Sequence, residues 1–211
     1  MKERNNNITA FGLVAEEPVF NHESNGEDFY KTFITVRRTS GTFDTLPVVI
    51  SDRIIDMKEI KVGDCVMITG QVRSHNLHIG EKSKLELFIF TENIEIYENE
   101  EELPFNNDVV LRGFICKEPI YRVTPLGREI TDVLIAINRA YGKSDYIPCI
   151  AWGRNARFVG GLETGEHIQI QGRFQSREYT KKISDNEIET RVAYEVSVSK
   201  IDYAEEGEAN V

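Results

Sequence analysis

Apolar and polar residues alternate along most of this chain, and the alternation predicts strands. The clearest stretch runs from Tyr146 to Arg154. Tyr146, Pro148, Ile150 and Trp152 fall on one side of it, and Ile147, Cys149 and Ala151 on the other, because strand side chains point to opposite faces in turn. The second set is small and apolar and suits a core. The first carries two large aromatics, and Arg154 follows close behind. Such a face suits a platform for stacked bases, half of a subunit interface, or an ordinary core strand.

The same reading predicts strands over Asn7–Phe20, Phe29–Arg38, Thr45–Ser51, Cys65–Ser74 and Lys84–Tyr97. Gly12 marks a bulge or sharp bend inside the first, and Asn25-Gly26 is a hairpin turn. Arg53–Ile60 has helical spacing, with Asp52 as its N-cap. Further on come Val109–Tyr121, Glu129–Asn138, Asp145–Trp152, a short helix near Asn155–Leu162, Glu166–Tyr179 and Glu189–Tyr203.

These two series are copies of each other. A shift of 101 places Gly12 on Gly113, Glu17-Pro18 on Glu118-Pro119, Gly26 on Gly127, Pro47 on Pro148 and Arg53 on Arg154. The same shift lays Phe33–Arg38 over Leu134–Arg139. A shift of 102 places Gly63 on Gly165 and Ile68–Ser74 on Ile170–Ser176. Residues 1–98 and 108–203 therefore read as two copies of one domain, joined by an acidic linker over 99–107 and followed by a short acidic tail over 204–211. Five strands with one short helix between the third and fourth predict an all-β fold of two tandem OB barrels, each a partly open five-stranded Greek key.

Charge adds detail. The 211 residues carry a net −10. Residues 1–98 hold a net −5, and 108–203 hold +1. The acid lies mostly outside the second copy, and a local basic surface acts despite a negative total because exposed charges are screened beyond about 10 Å. Cys65, Cys116 and Cys149 are widely spaced, which predicts free thiols in a reducing cytoplasm. The polar start Met1–Asn7 is unlike a signal peptide, and no apolar run approaches the ~18 residues that span a bilayer. His75-x-x-His78 lacks the further ligands zinc needs, and no Walker loop, Gly-x-Ser-x-Gly or paired-acid constellation occurs. The chain reads as neither an enzyme nor a holder of metal or cofactor.

The second copy resembles the bacterial single-stranded DNA-binding proteins. The blocks, in order, are Gly127-Arg128-Glu129, Leu134–Arg139, Asp145–Arg154, Thr164-Gly165-Glu166, Ile170–Tyr179 and Tyr194-Glu195-Val196. The resemblance implies a homodimer with four OB folds that binds single-stranded DNA and serves replication, recombination or repair proteins. It implies base stacking on Trp152, Tyr146, Tyr179 and Tyr141. It also implies phosphate contacts from Arg154, Arg139, Arg173, Arg177, Lys181 and Lys182. The first copy departs from this pattern: Thr45 stands opposite Tyr146, Ser51 opposite Trp152, and Leu77-His78 opposite Tyr179, leaving Phe43, Arg38 and Arg53. It is expected to bind DNA weakly or not at all. Glu100–Phe105 is similar to the family's acidic docking tail, but the reading preferred is a solvated linker anchored by Phe105. The rival class is a tandem-OB scaffold, or a primosomal-type accessory protein, whose main partner is another protein. A third reading takes single-stranded RNA as the ligand, since stacking and phosphate contacts do not by themselves distinguish the 2′-hydroxyl.

Overall fold

The computed structural model describes residues 4–80, 82–98, 107–184 and 187–204. Their strands are β1 Asn6–Val14, β2 Val19–Ser24, β3 Glu27–Arg37, β4 Phe43–Ser51, β5 Cys65–Ile79 and β6 Lys82–Tyr97, followed by β7 Asn107–Ile115, β8 Ile120–Val123, β9 Glu129–Asn138, β10 Ser144–Trp152, β11 His167–Ser184 and β12 Glu187–Tyr203. One short helix, α1, spans Arg154–Val159. No helix among the described residues is long and apolar enough to cross a membrane.

Two compact units form. The first-copy unit is Ile8–Asp108 together with Phe174–Glu195. The second-copy unit is Val109–Arg173, with the segment ending at Asn7 and the segment from Val196 on. Residues 174–195, the outer arm of β11 and β12, thus belong to the second copy by sequence and to the first-copy unit by contact.

In the first-copy unit the strand order is β2-β3-β4-β6-β5-β1, and β1 returns to pair with β3 at Leu13↔Thr35. β4 and β6 run parallel at Val48↔Ile89. The second copy repeats this arrangement as β7-β11-β12-β10-β9-β8, with β7 returning to β9 at Phe114↔Ala136 and β10 parallel to β12 at Cys149↔Val196. Each closure makes a Greek-key OB barrel. The inward rows supply the cores: Ile34, Leu46, Val48, Ile50 and Ile68 in one, Leu111, Ile135, Ile137, Ile147 and Ile170 in the other, all fully buried. Each such side chain contributes about 1.5–3 kcal/mol over leaving it in water.

Several expectations need correction. The long strands over Asn7–Phe20 and Val109–Tyr121 are each interrupted, at 15–18 and 116–119. Pro18 and Pro119 close these breaks, since proline has no N–H to give a ladder. Gly12 makes no bulge, because β1 pairs with β5 in unbroken register through Gly12↔Val66. Its need is steric: a Cβ there would lie 2.5 Å from the Thr35 carbonyl oxygen, and one at Gly113 the same distance from that of Ala136. The strand crossing that closes each barrel leaves no room for a side chain. The helix expected over Arg53–Ile60 is one 3-10 turn, Met57–Glu59, capped by Asp56 and not Asp52. No residue in that turn is buried, whereas α1 buries Ala156 and Val159. Packing sustains the second helix and not the first.

Other expectations hold. Asn25 and Gly26 both take positive φ, 55° and 72°, in a two-residue turn between Ser24 and Glu27. The three cysteines are free thiols. Cys65 and Cys149 are buried, and the half-buried Cys116 thiol donates to the Leu134 carbonyl at 3.2 Å.

Candidate nucleic-acid interface

β10 presents the expected aromatic face. Tyr146 is 41% exposed and Trp152 39%, while Ile147, Cys149 and Ala151 are buried behind them. Ile150 shares the outward parity and yet is buried, so the face is aromatic at both ends and closed between them. Ala136 stands opposite Tyr146 on β9 and leaves room beside the ring, and Ile130 stands opposite Trp152. Six residue steps separate the two aromatics, about 20 Å at the usual strand rise. Asp132 also lies on β9, and Arg122 neutralises it at 2.7 Å.

Tyr141 lies in the loop before β10. It is 99% exposed and holds φ +60°, a conformation uncommon for a bulky side chain. The loop closes through the Arg139 N–H donating to the Lys143 carbonyl at 2.8 Å. Arg139 also holds the loop from below, with Nε 3.1 Å from Oδ2 of the fully buried Asp145. The first copy repeats this pair: Arg38 meets the fully buried Asp44 through Nε at 2.7 Å and Nη2 at 2.5 Å. The hydrogen bond to Asp44 raises the Arg38 pKa further, so that guanidinium is always charged. Both arginines compensate a buried carboxylate, which binds them to the fold. The signal was legible as an arginine and an aspartate six residues apart at matching places in both copies.

Arg154 is exposed at the start of α1, directly after Gly153, whose φ of 54° turns the chain out of β10. It has no ion-pair partner among the described residues. Arg173 is exposed at the far end of the same unit's β11 segment. Arg177, Tyr179, Lys181 and Lys182 lie on the arm, in the first-copy unit. There Arg177 pairs with Glu195 at 3.2 Å, and Gln175 donates to the same carboxylate at 2.9 Å. Tyr179 is 37% exposed, and Lys181 and Lys182 are exposed. The structure thus brings Tyr141, Tyr146, Trp152, Arg139, Arg154 and Arg173 into one unit and the remaining four into the other.

In the first copy Thr45 is exposed and Ser51 buried, with the Ser51 hydroxyl donating to Glu27. Phe43 is 60% exposed. Arg53 reaches Glu27 at 3.6 Å. Aromatics missing from β4 stand instead on β3 and β6: Phe29 lies opposite Ser51, stacked on His22 at 4.8 Å and 5.8 Å from Phe90. Reading β4 alone passed over them, although Phe29, Lys31 and Phe33 alternate in the sequence with strand period. The His78 side chain and Glu100–Phe105 lie outside the described residues. Among the described residues no group of three metal-ligating side chains forms.

Fold and face together define a protein of two tandem OB barrels, one bearing an exposed aromatic strand. The wild-type single-stranded DNA binding protein from Thermus aquaticus shares this fold, with a TM-score of 0.71 over 98% of this chain and 96% of that one, at 17% identity. The family model described as "Single-strand binding protein family" matches residues 106–203. Single-stranded DNA-binding protein A of Bacillus subtilis is 32% identical over 96 residues, which are 42% of this chain and 56% of that protein. Single-stranded DNA-binding protein 2 of Listeria monocytogenes is 30% identical over 112 residues, 50% of this chain and 68% of that protein. The chain belongs to the single-strand binding protein family, and it spans about half to two thirds of the length of these two relatives.

Proposed function

We propose that this chain binds single-stranded DNA with little sequence preference, mainly through the second copy, in replication, recombination or repair. The observation that carries the reading is the pair of aromatics, Tyr146 and Trp152, half exposed on one strand face with Tyr141 open beside them. Bases stack on these rings. Each stacked base contributes about 1–3 kcal/mol, and every base has a π face, so preference among sequences is weak. Arg154 meets phosphate directly, and Arg173 adds to the same track. Arg139 holds the Tyr141 loop beside Asp145, and in this reading its partly exposed guanidinium adds a phosphate contact.

The relatives' names support the same ligand. A homodimer of four barrels, replication or repair enzymes as protein partners, and a cytoplasmic setting complete the reading. Trp152 is the single tryptophan, so its fluorescence reports one place. Oligo-dT should quench it, with affinity falling steeply as salt rises, and duplex DNA should not. Absence of quenching at low salt would overturn the reading in favour of a scaffold whose partner is a protein.

A further inference from the structure

We propose that the edge strand β2 of one molecule pairs with the edge strand β8 of another, so that copies of this chain associate head to tail beyond a two-fold dimer. The contact needs no nucleic acid and lies apart from the base-stacking face.

β2 and β8 each end a strand order, with β3 and β9 as their single neighbours among the described residues. An edge strand leaves a row of backbone N–H and C=O groups to which another strand can add, and soluble proteins usually guard such rows with charge. Every residue of both strands is exposed. Val19 and Phe20 on β2, and Ile120 and Val123 on β8, each leave more than half of their surface in solvent. Both rows therefore carry apolar side chains where a guarded edge carries charge.

Charge decides which edges can meet. The 101-residue shift lays 16–28, β2 and its flanks, over 117–129, β8 and its flanks. The first stretch holds Glu16, Glu17, Glu23, Glu27 and Asp28 with no Lys or Arg, a net −5. The second holds Lys117, Arg122 and Arg128 against Glu118 and Glu129, a net +1. Lys117 stands where the first copy has Glu16, and Arg128 where it has Glu27. Two β2 edges repel each other, whereas β2 and β8 attract, and like charges brought together are the stronger selector of partners. Glu16, Glu17 and Glu23 are exposed. Around β8, Asp132 holds Arg122, and Glu129 takes Tyr121 and Arg157, so the exposed Lys117 and Arg128 are the cations that face a neighbour.

Each chain carries one edge of each kind, so the contact is heterologous and repeats from molecule to molecule. A ladder as long as the four residues of β8 spans about 14 Å. Such a contact belongs with small, transient interfaces and forms at high protein concentration.

The test is sedimentation velocity on the full chain without DNA, from micromolar to near-millimolar concentration, at low and high salt. Expected are species larger than a dimer that grow with concentration and recede as salt rises. Lys117→Glu with Arg128→Glu takes the β8 stretch to −3, and the concentration needed for association should rise about tenfold or more. Glu16→Lys, Glu17→Lys and Glu23→Lys take the β2 stretch to +1 and should also weaken association. All five changes in one chain oppose +1 to −3 and should restore it. Ile120→Thr leaves every charge in place and should weaken association at both salts. Urea midpoints close to the parent's would show that each variant keeps its fold. A parent that stays at or below a dimer at near-millimolar concentration and low salt overturns the proposal, and so does a five-site exchange that associates no better than the β8 variant. Trp152 quenching by oligo-dT is unaffected by either result, so the single-stranded DNA reading stands or falls separately.

Discussion

The backbone N–H of Ser176 lies 2.8 Å from a carboxylate oxygen of Asp44, 132 residues away in sequence. The same carboxylate takes the Arg38 guanidinium, and Arg38 Nη2 returns a hydrogen bond to the Ser176 carbonyl at 3.0 Å. One buried aspartate thus ties an arginine of its own copy to the arm of the other copy. A local ion pair and a long-range strand contact share one anchor.

Asp44→Ala should therefore be costly. It leaves Arg38 without its partner and the Ser176 N–H without its acceptor. Removing one member of a buried pair costs about 3–5 kcal/mol. Urea denaturation should show that loss, and limited proteolysis should cut the arm sooner than in the parent. Replacing both Asp44 and Arg38 with uncharged residues should cost less than the sum of the single changes, as expected of coupled sites.

Trp152 and Arg154 should separate from Arg139 by what they cost. Trp152→Ala should weaken oligo-dT binding about 5- to 150-fold, the equivalent of one stacked base. It should leave the urea midpoint nearly unchanged, because the ring is already partly in solvent. Arg154→Gln should lower the magnitude of the salt slope by about 0.7, one single-strand phosphate contact. Arg139→Gln should instead destabilise the fold, since it removes the cation that faces the buried Asp145 carboxylate at 3.1 Å. Equal stability costs for all three substitutions would refute this division.

His167 should make stability depend on pH. It stacks on Phe114 at 4.5 Å, and burial, with the Arg112 charge nearby, holds its pKa below the ordinary value. The unfolded chain then takes up a proton first as pH falls. The stabilising contribution is complete above the ordinary histidine pKa of about 6.5, is lost as pH drops through the lowered folded value, and levels off below it. Urea midpoints measured from about pH 8 down to about pH 5 should fall more steeply for the parent than for His167→Gln.

Gly113→Ala should destabilise, because the new methyl group meets the Ala136 carbonyl oxygen at 2.5 Å and the barrel closure must shift. About 1–3 kcal/mol is the usual cost of such overpacking. Gly161→Ala is the contrast. Its nearest atoms lie 3.6 Å away and its φ is not positive, so the change should be neutral or slightly stabilising through the unfolded chain. Denaturation of both variants under one condition checks the pair.

Much of the fold was legible as period and repetition. Glu129–Asn138 forms β9 with the boundaries its alternation implies, and Asn25-Gly26 turns as its residue types require. The repeated glycines were legible as positions but not as reasons. Gly12 read as a bulge or sharp bend; there is no bulge against β5, and its constraint is a carbonyl from β3 that is distant in sequence. Ile150 falls by parity on the face of Tyr146 and Trp152 and is buried where they are not, because parity names a side of the strand and says nothing of what covers it.

The sequence by itself determined the two copies, the alternating rows, the turn chemistry and the aromatic character of β10. These follow from local sterics and from the two-residue period of a strand, which act on neighbours along the chain. Only the tertiary structure decided the partners of the charged residues. It gave Arg38 and Arg139 buried aspartates, placed Tyr179 and its lysines with the first-copy unit, and set an aromatic and cationic row on β3. The arm's placement depends on contacts between segments more than a hundred residues apart, while the two arginine–aspartate pairs, six residues apart in sequence, are set by the barrel closure that buries their carboxylates.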